Sequence, residues 1–166
     1  MDIRRATADD LEAVGRLTVA AYAPYLDAAS DTGYVEHLGD SGRRNREADL
    51  WVAVDDDGAV LGSVTSCPEG SPWRELAEPE EGEFRMLAVD PAAQGRGVGR
   101  ALVEHVVEGF RADGSRSVVL CSMSTMTSAH RVYERAGFGR APELDWSPLP
   151  GVDLVAYRLD FEEPPR

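Results

Sequence analysis

Apolar positions recur along this chain in two rhythms, and the switches between them mark the expected elements. Ile3 to Ala6 reads as a short strand. Thr7-Ala8-Asp9-Asp10 has the form of a capping box with Asp in place of the usual Glu, opening a helix whose apolar residues are Leu11, Val14, Leu17 and Val19 to Tyr22. Pro24 ends that helix. Tyr34 to Leu38 suggests a second short helix, and Arg43 to Glu47 a charged helical connection. Leu50 to Val54 and Ala59 to Cys67 flank Asp55-Asp56-Asp57-Gly58 and predict a hairpin; the aspartates are contiguous rather than alternating, which favours a turn over a calcium loop. Residues 68–82, rich in Pro, Gly and Glu, predict a long surface loop. Glu83 to Val89 is nearly continuous in apolar character, as in a central strand covered on both faces. Ala101 to Phe110 places Leu102, Val103, Val106, Val107 and Phe110 on one helical face. Ser117 to Cys121 predicts another buried strand, and Thr127 to Ala136 a helix stopped by Gly137. Leu144 to Trp146 and Leu154 to Phe161 predict a final antiparallel pair around the Pro-rich loop from Ser147 to Val152.

Between the strand ending at Val89 and the helix beginning near Ala101 lies Gln94-Gly95-Arg96-Gly97-Val98-Gly99-Arg100. Glycines at alternate positions pack no core, but they let main-chain N–H groups converge on one concave pocket. A helix starting there adds its unpaired amides and positive end, which suits an anion such as a pyrophosphate. Two common phosphate motifs fail. No Lys-Ser/Thr follows a glycine at nucleotide-hydrolase spacing, and the sixth positions counted from Gly95 and Gly97 are Arg100 and Leu102 rather than the Gly of a dinucleotide fingerprint. The pattern that fits is Gln/Arg-x-x-Gly-x-Gly/Ala, running through Gln94, Gly97 and Gly99.

That loop, preceded by Met86-Leu87-Ala88-Val89-Asp90-Pro91, resembles the coenzyme A loop of the GNAT superfamily of N-acetyltransferases. Ala129-His130-Arg131-Val132-Tyr133-Glu134-Arg135-Ala136-Gly137-Phe138 resembles the second signature of that family, one predicted strand further on. The resemblance covers roughly residues 83–140, more weakly the first 65. It implies an α/β (α+β) fold with a mixed, mostly antiparallel central sheet of about seven strands and about four helices, the strand ending at Val89 splayed from the next. A single domain over 1–161 with a frayed tail at 162–166 is expected, since no repeat or linker divides the series.

The formal charge of −13 argues against a nucleic-acid partner and is compatible with a cationic acceptor, though a general acidic bias explains it equally well. No apolar run is long enough to span a bilayer, and no apolar signal core follows Met1 to Arg5, so no membrane and a cytoplasmic location are expected. Cys67 and Cys121 read as buried free thiols. His37, His105 and His130 have no metal-ligand grouping, His105 reading as exposed and His130 as a partner for Glu134; no metal is expected.

The resemblance implies acetyl-CoA as co-substrate. On that resemblance the Leu87 N–H is expected to face the thioester oxygen, the Ala88-Val89 backbone to pair with the pantetheine arm, and amides from Gly95 through Val98 and Gly99 to Arg100, preceded by Gln94, to hold the pyrophosphate. Arg96 and Arg100 either add charge or stand solvated. Tyr133 occupies the family's acid position; read from its residues alone, it sits on a helical face with Ala129, Val132 and Ala136 and is equally a core tyrosine. Glu83 stands where many relatives carry a base, against a strand-edge salt bridge with Arg85, and with Glu80, Glu81 or a water relay as rivals. Where relatives often have an Asn contacting pantetheine, this chain has Met126, with Ser122, Ser124 or Thr125 as substitutes. An aliphatic amine is neutral in only about one molecule in a few thousand at pH 7, so acceptance of its proton is a required function. Tyr25, Tyr34 and Trp146, with Tyr22 and Trp73, are candidate walls of the acceptor pocket, although aromatics there equally serve packing.

The reading is an N-acetyltransferase acting on a small-molecule or peptide amine by direct attack in a ternary complex, with a homodimer as the assembly common among relatives. Its rivals are an acyltransferase using another acyl-CoA or an oxygen acceptor, and a non-catalytic acyl-CoA sensor.

Overall fold

A computed structural model describes residues 1–27 and 32–162, so the expected tail lies outside the described residues beyond Glu162. Among the described residues there are eight strands and five α-helices. The strands are β1 (Asp2–Arg5), β2 (Asp49–Val54), β3 (Val60–Cys67), β4 (Glu81–Val89), β5 (Ser117–Met123), β6 (Gly139–Arg140), β7 (Trp146–Leu149) and β8 (Val152–Asp160). The helices are α1 (Leu11–Tyr22), α2 (Thr32–Gly39), α3 (Ser41–Glu47), α4 (Val98–Ala112) and α5 (Thr127–Arg135). They form one mixed sheet in the order β1-β2-β3-β4-β5-β8-β6, with β7 on β8. All pairs are antiparallel except β4–β5. The expected fold class is observed, with one more strand and one more helix than expected.

The two faces of the sheet carry different cores. Phe84, Val98, Leu102, Val106, Val118, Leu120 and Tyr133 cluster on the α4 side. Leu17, Leu38, Cys67, Trp73, Met86 and Met123 cluster on the α1–α2 side. Gly62 is required for the first of these: a Cβ there would lie 2.9 Å from both the Ala88 carbonyl oxygen and Val98 Cγ1, so only glycine lets the start of α4 settle on β3 and β4. The Thr7–Asp10 capping box is present, and Asp10 also receives both terminal nitrogens of Arg4 at 2.7 and 3.1 Å.

β4 and β5 pair only over Glu81–Glu83 with Ser117–Val119, then diverge. This is the expected splay. On its other edge β4 pairs with β3, but the register shifts between Ser63 and Thr65, and Met86 opposite that shift adopts φ +53°. A non-glycine residue held there costs roughly 1–3 kcal/mol, and such bulges gather beside functional sites.

Three expectations need correction. The 68–82 segment is not wholly a surface loop: Glu81 and Gly82 begin β4, and Trp73 is buried at 2% exposure. The Trp73 indole N–H donates to Glu47 at 2.9 Å, its ring stacks on His37 at 4.8 Å, and its carbonyl accepts from Arg85, so the segment is fastened to α2, α3 and β4. His105 is half-buried against Trp51 rather than exposed, with burial lowering its pKa. His130 Nε2 is 3.1 Å from the Met123 carbonyl, and the expected partner Glu134 acts on it through its charge.

Candidate active site

The glycine loop forms the back of the site. Gly95 and Gly97 have φ of +77° and +79°, a left-handed conformation that favours glycine, and nothing lies within 4 Å of where their Cβ atoms would be. Side chains at these positions would project into open space. Gly97 caps α4, so the first amides of that helix point out of it without intrahelical partners. Among the described residues, no bond outside the helix engages the amides of Gly95 to Arg100. The arrangement fits a diphosphate-bearing carrier, held mainly by main-chain donors and the positive helix end. Arg100 pairs with Glu104 at 2.7 Å and Arg96 is exposed, so the main chain is the constant part of the cradle.

From the cradle, the splay leads inward. Among the described residues, Phe84 to Val89 have no strand partner on the β5 side, leaving that edge of Leu87, Ala88 and Val89 open for another extended group. The bulge removes Met86 and Leu87 from the regular ladder with β3. Behind it lies Arg44, with no exposed surface. Its guanidinium donates to Met86 Sδ at 2.8 Å and Thr18 Oγ1 at 3.4 Å, while its Nε has no partner. Among the described residues no carboxylate pairs with it, and burial pulls its pKa down to about 10. The sequence reading passed over Arg44, because an Arg in a charged helical segment looks solvated until the packing of α3 is known.

Tyr133 comes from α5 and is 5% exposed. It packs against Phe84, Phe138 and Tyr157 at centroid distances of 6.0, 6.3 and 5.8 Å. Burial, then Cys121 and Tyr157, raise its pKa, so the phenol keeps its proton through the neutral range. Cys121 lies on the diverging part of β5; burial first and Glu75 next push its thiol up to about 12. Cys67, also free, is likewise pushed up to about 12 chiefly by burial, so neither thiol is a ready nucleophile. Met126 is buried before α5, packed in the α1–α2 side core.

Glu83 is fully buried and its carboxylate is engaged. One oxygen accepts from the Glu75 amide at 3.0 Å; the other accepts from the amides of Glu75, Leu76 and Ala77 at 2.9 to 3.0 Å. Three successive N–H groups thus wrap one carboxylate, as in an anion nest. Arg85 does not pair with Glu83, as the sequence reading allowed; it pairs with Glu75, and both side chains are 19% exposed. Glu81 is bound to Arg158, Ser117 and the Glu78 amide. Glu80 and Glu81 line a separate hollow of about 660 Å³ beside the C-terminal end of α4.

Of the expected acceptor walls, Tyr34 is half-buried over His37 at 6.4 Å and near enough to Arg85, Cys121 and Glu75 to be biased by all three. Tyr25 packs at the margin of the α1–α2 side core. Trp146 is 38% exposed on β7 and close enough to Cys121 to affect its ionisation. Glu75 is the residue the sequence reading missed. Its signal was only its place in a long segment rich in Pro, Gly and Glu.

Among the described residues, no group of side chains is arranged to hold a metal, and no helix is long and apolar enough to cross a membrane.

The acetyltransferase (GNAT) family model matches residues 12–138. A mycothiol acetyltransferase from Cellulomonas flavigena is 36% identical over 132 residues, which cover 68% of this chain and 36% of that protein. An N-acetylaspartate synthetase from Rattus norvegicus is 34% identical over 114 residues, covering 68% and 36%. The chain therefore spans about a third of the length of these curated relatives. The crystal structure of a GNAT family acetyltransferase from Brucella melitensis in complex with acetyl-CoA aligns with a TM-score of 0.65 and 26% identity, covering 98% of this chain and 88% of that one.

Proposed function

The chain belongs to the GNAT acetyltransferase family, and on that premise we propose that it transfers an acetyl group from acetyl-CoA to a primary amine of a small molecule. The observation that carries this reading is the succession of two features along one stretch of chain. The edge of β4 that β5 leaves unpaired runs, within a few residues, into the glycine cradle at the start of α4. The curated relatives are named for acetylating mycothiol and for making N-acetylaspartate, both small molecules, which supports an acceptor of that class.

Each part of the site has a role. Amides of Gly95 to Arg100 hold the diphosphate, and the open main chain of Leu87 to Val89 aligns the pantetheine arm. The thioester supplies an already activated acetyl group, so the protein's work is positioning and proton management. The amide at Leu87 serves the oxygen that gathers charge. Tyr133, kept protonated by burial, donates to the departing sulfur. In balance, an acceptor ammonium and a thioester give an acetamide and a free thiol and release a proton, which a base on the acceptor side takes up. Glu83, enclosed by amides, is a positioning residue in this scheme.

The test is thiol release from acetyl-CoA in the presence of an amine panel. Turnover that collapses in Tyr133→Phe while acetyl-CoA still binds supports the reading. Tight binding with no thiol release from any amine supports the non-catalytic sensor instead.

A further inference from the structure

We propose that Glu75 and Arg85 together form the acceptor's receptor, and that the acceptor is a small amine that also carries a carboxylate; this rests on the acyl-transfer reading above. The first observation is where the pair stands. Arg85 is on β4 just past the point where β5 leaves it, and Glu75 is on the segment folded over that face. Both are close enough to Cys121, across the splay, and to Tyr34 to bias their ionisation. The pair therefore stands at the splay, on the strand whose open main chain is assigned to the thioester end of the carrier.

The second observation is how the pair is held. Glu83 grips the amides of Glu75, Leu76 and Ala77, which fixes the main chain bearing Glu75 and leaves its side chain to reach Arg85. Arg85 donates to the Trp73 carbonyl at 3.1 Å and lies 5.6 Å from the centre of the Trp73 ring. Those contacts engage only part of the guanidinium. Its side chain is 19% exposed, so part of the guanidinium reaches the surface beside Glu75. A fixed carboxylate beside a fixed guanidinium is the complement of an ammonium beside a carboxylate.

The third observation concerns charge. On a chain of formal charge −13, Arg44 is buried directly behind Met86 of the same strand with no carboxylate pairing with it among the described residues. A second cation so placed, beside Arg85, favours an anionic group at the front of β4. When an acceptor carboxylate takes Arg85, Glu75 loses its ion-pair partner and becomes free to act on the ammonium. One N–H bond of the ammonium then breaks and an O–H bond forms on Glu75, leaving the nitrogen lone pair for the acyl carbon; as the C–S bond breaks, Tyr133 protonates the sulfur and the second N–H proton lost by the nitrogen restores the phenol. Burial already raises the Glu75 pKa against the opposing pull of Arg85, with Glu83 adding to the rise, so loss of Arg85 moves it further in the useful direction.

The experiment compares thiol release with matched acceptors: amino acids, their carboxamides, and the corresponding amines lacking the carboxyl group. Acetyl-CoA binding is measured separately by calorimetry. The expected result is a preference of about tenfold or more in kcat/KM for the carboxylate-bearing member of each set, as a charge-assisted bidentate contact supplies. Arg85→Gln should erase that preference by raising KM for the carboxylate-bearing acceptors by about tenfold more than for the carboxamides. Turnover with equal or better use of the carboxamides overturns the receptor while the acyl-transfer reading stands. Acetyl-CoA binding without turnover of any acceptor overturns both. The acceptor comparison on the unaltered protein decides the matter even if Arg85→Gln fails to fold.

Discussion

Replacing Glu83 by Gln separates an anchor from a base. The Glu83 carboxylate accepts from three successive amides, with both oxygens used and no exposed surface. A glutamine of the same shape keeps one acceptor oxygen and presents an NH2 group to donors. At least one amide of residues 75–77 then loses its partner, and the remaining bonds lose their charge assistance. An unsatisfied buried group costs about 1–3 kcal/mol, and bonds to a charged group are worth about 1.5–3 kcal/mol each, so a net loss of about 2–4 kcal/mol follows. At this chain length that lowers Tm by roughly 5–15 °C. Urea unfolding at pH 7 measures the loss directly, and limited proteolysis locates it at residues 71–80. Glu75→Gln provides the contrast: its carboxylate is held by a single partner, so stability should change by less than about 1 kcal/mol while turnover falls by roughly 10²–10⁴. A Glu83→Gln protein with unchanged stability and no turnover would refute the anchor and make Glu83 itself the proton acceptor.

Other consequences are equally direct. In Tyr133→Phe, kcat should fall by roughly 10²–10⁴ while acetyl-CoA affinity stays within about threefold, read by thiol release and calorimetry. The pH profile of kcat/KM should lose activity on the acid side through an apparent pKa above the ordinary carboxylate range, because Glu75 must be deprotonated to accept a proton and burial raises its pKa; that limb should vanish in Glu75→Gln. The Arg4 hydrogen bonds first, then the Thr7 contacts, hold the Asp10 pKa down to about 2 from 3.8, so its contribution is present above pH 4 and lost as pH falls toward 2. With Arg4 partly exposed, Asp10→Asn should cost about 1–2 kcal/mol at pH 7 and little at pH 2, measured by urea unfolding at both.

The order of elements was legible because each carries its own periodicity. Leu102, Val103, Val106 and Phe110 mark α4 without reference to any neighbour, and Gly95 and Gly97 announce a left-handed turn that nothing but function requires. β6 was missed because Gly139-Arg140 has no alternation to read and pairs only through β8. The acceptor side was largely illegible for a related reason. Glu75, Arg85, Arg44 and Trp73 come from a loop, a strand and a helix connection, and only tertiary packing brings them together. The surroundings of Glu83 show this most plainly. Its position on a buried strand was readable, whereas the amides that occupy it belong to residues six to eight places earlier, in a segment with no periodicity at all.

Titration of the purified chain with acetyl-CoA in a calorimeter tests the whole account most directly, with Gly97→Glu alongside. Gly97 sits at φ +79° in open space, so a glutamate there is strained by roughly 1–2 kcal/mol and places a negative charge at the mouth of the cradle without disturbing any core contact. The account predicts saturable heat with the unaltered protein and at least about a hundredfold weaker binding in the folded variant. An absence of heat with the unaltered protein, or equal affinity in the two, would contradict it.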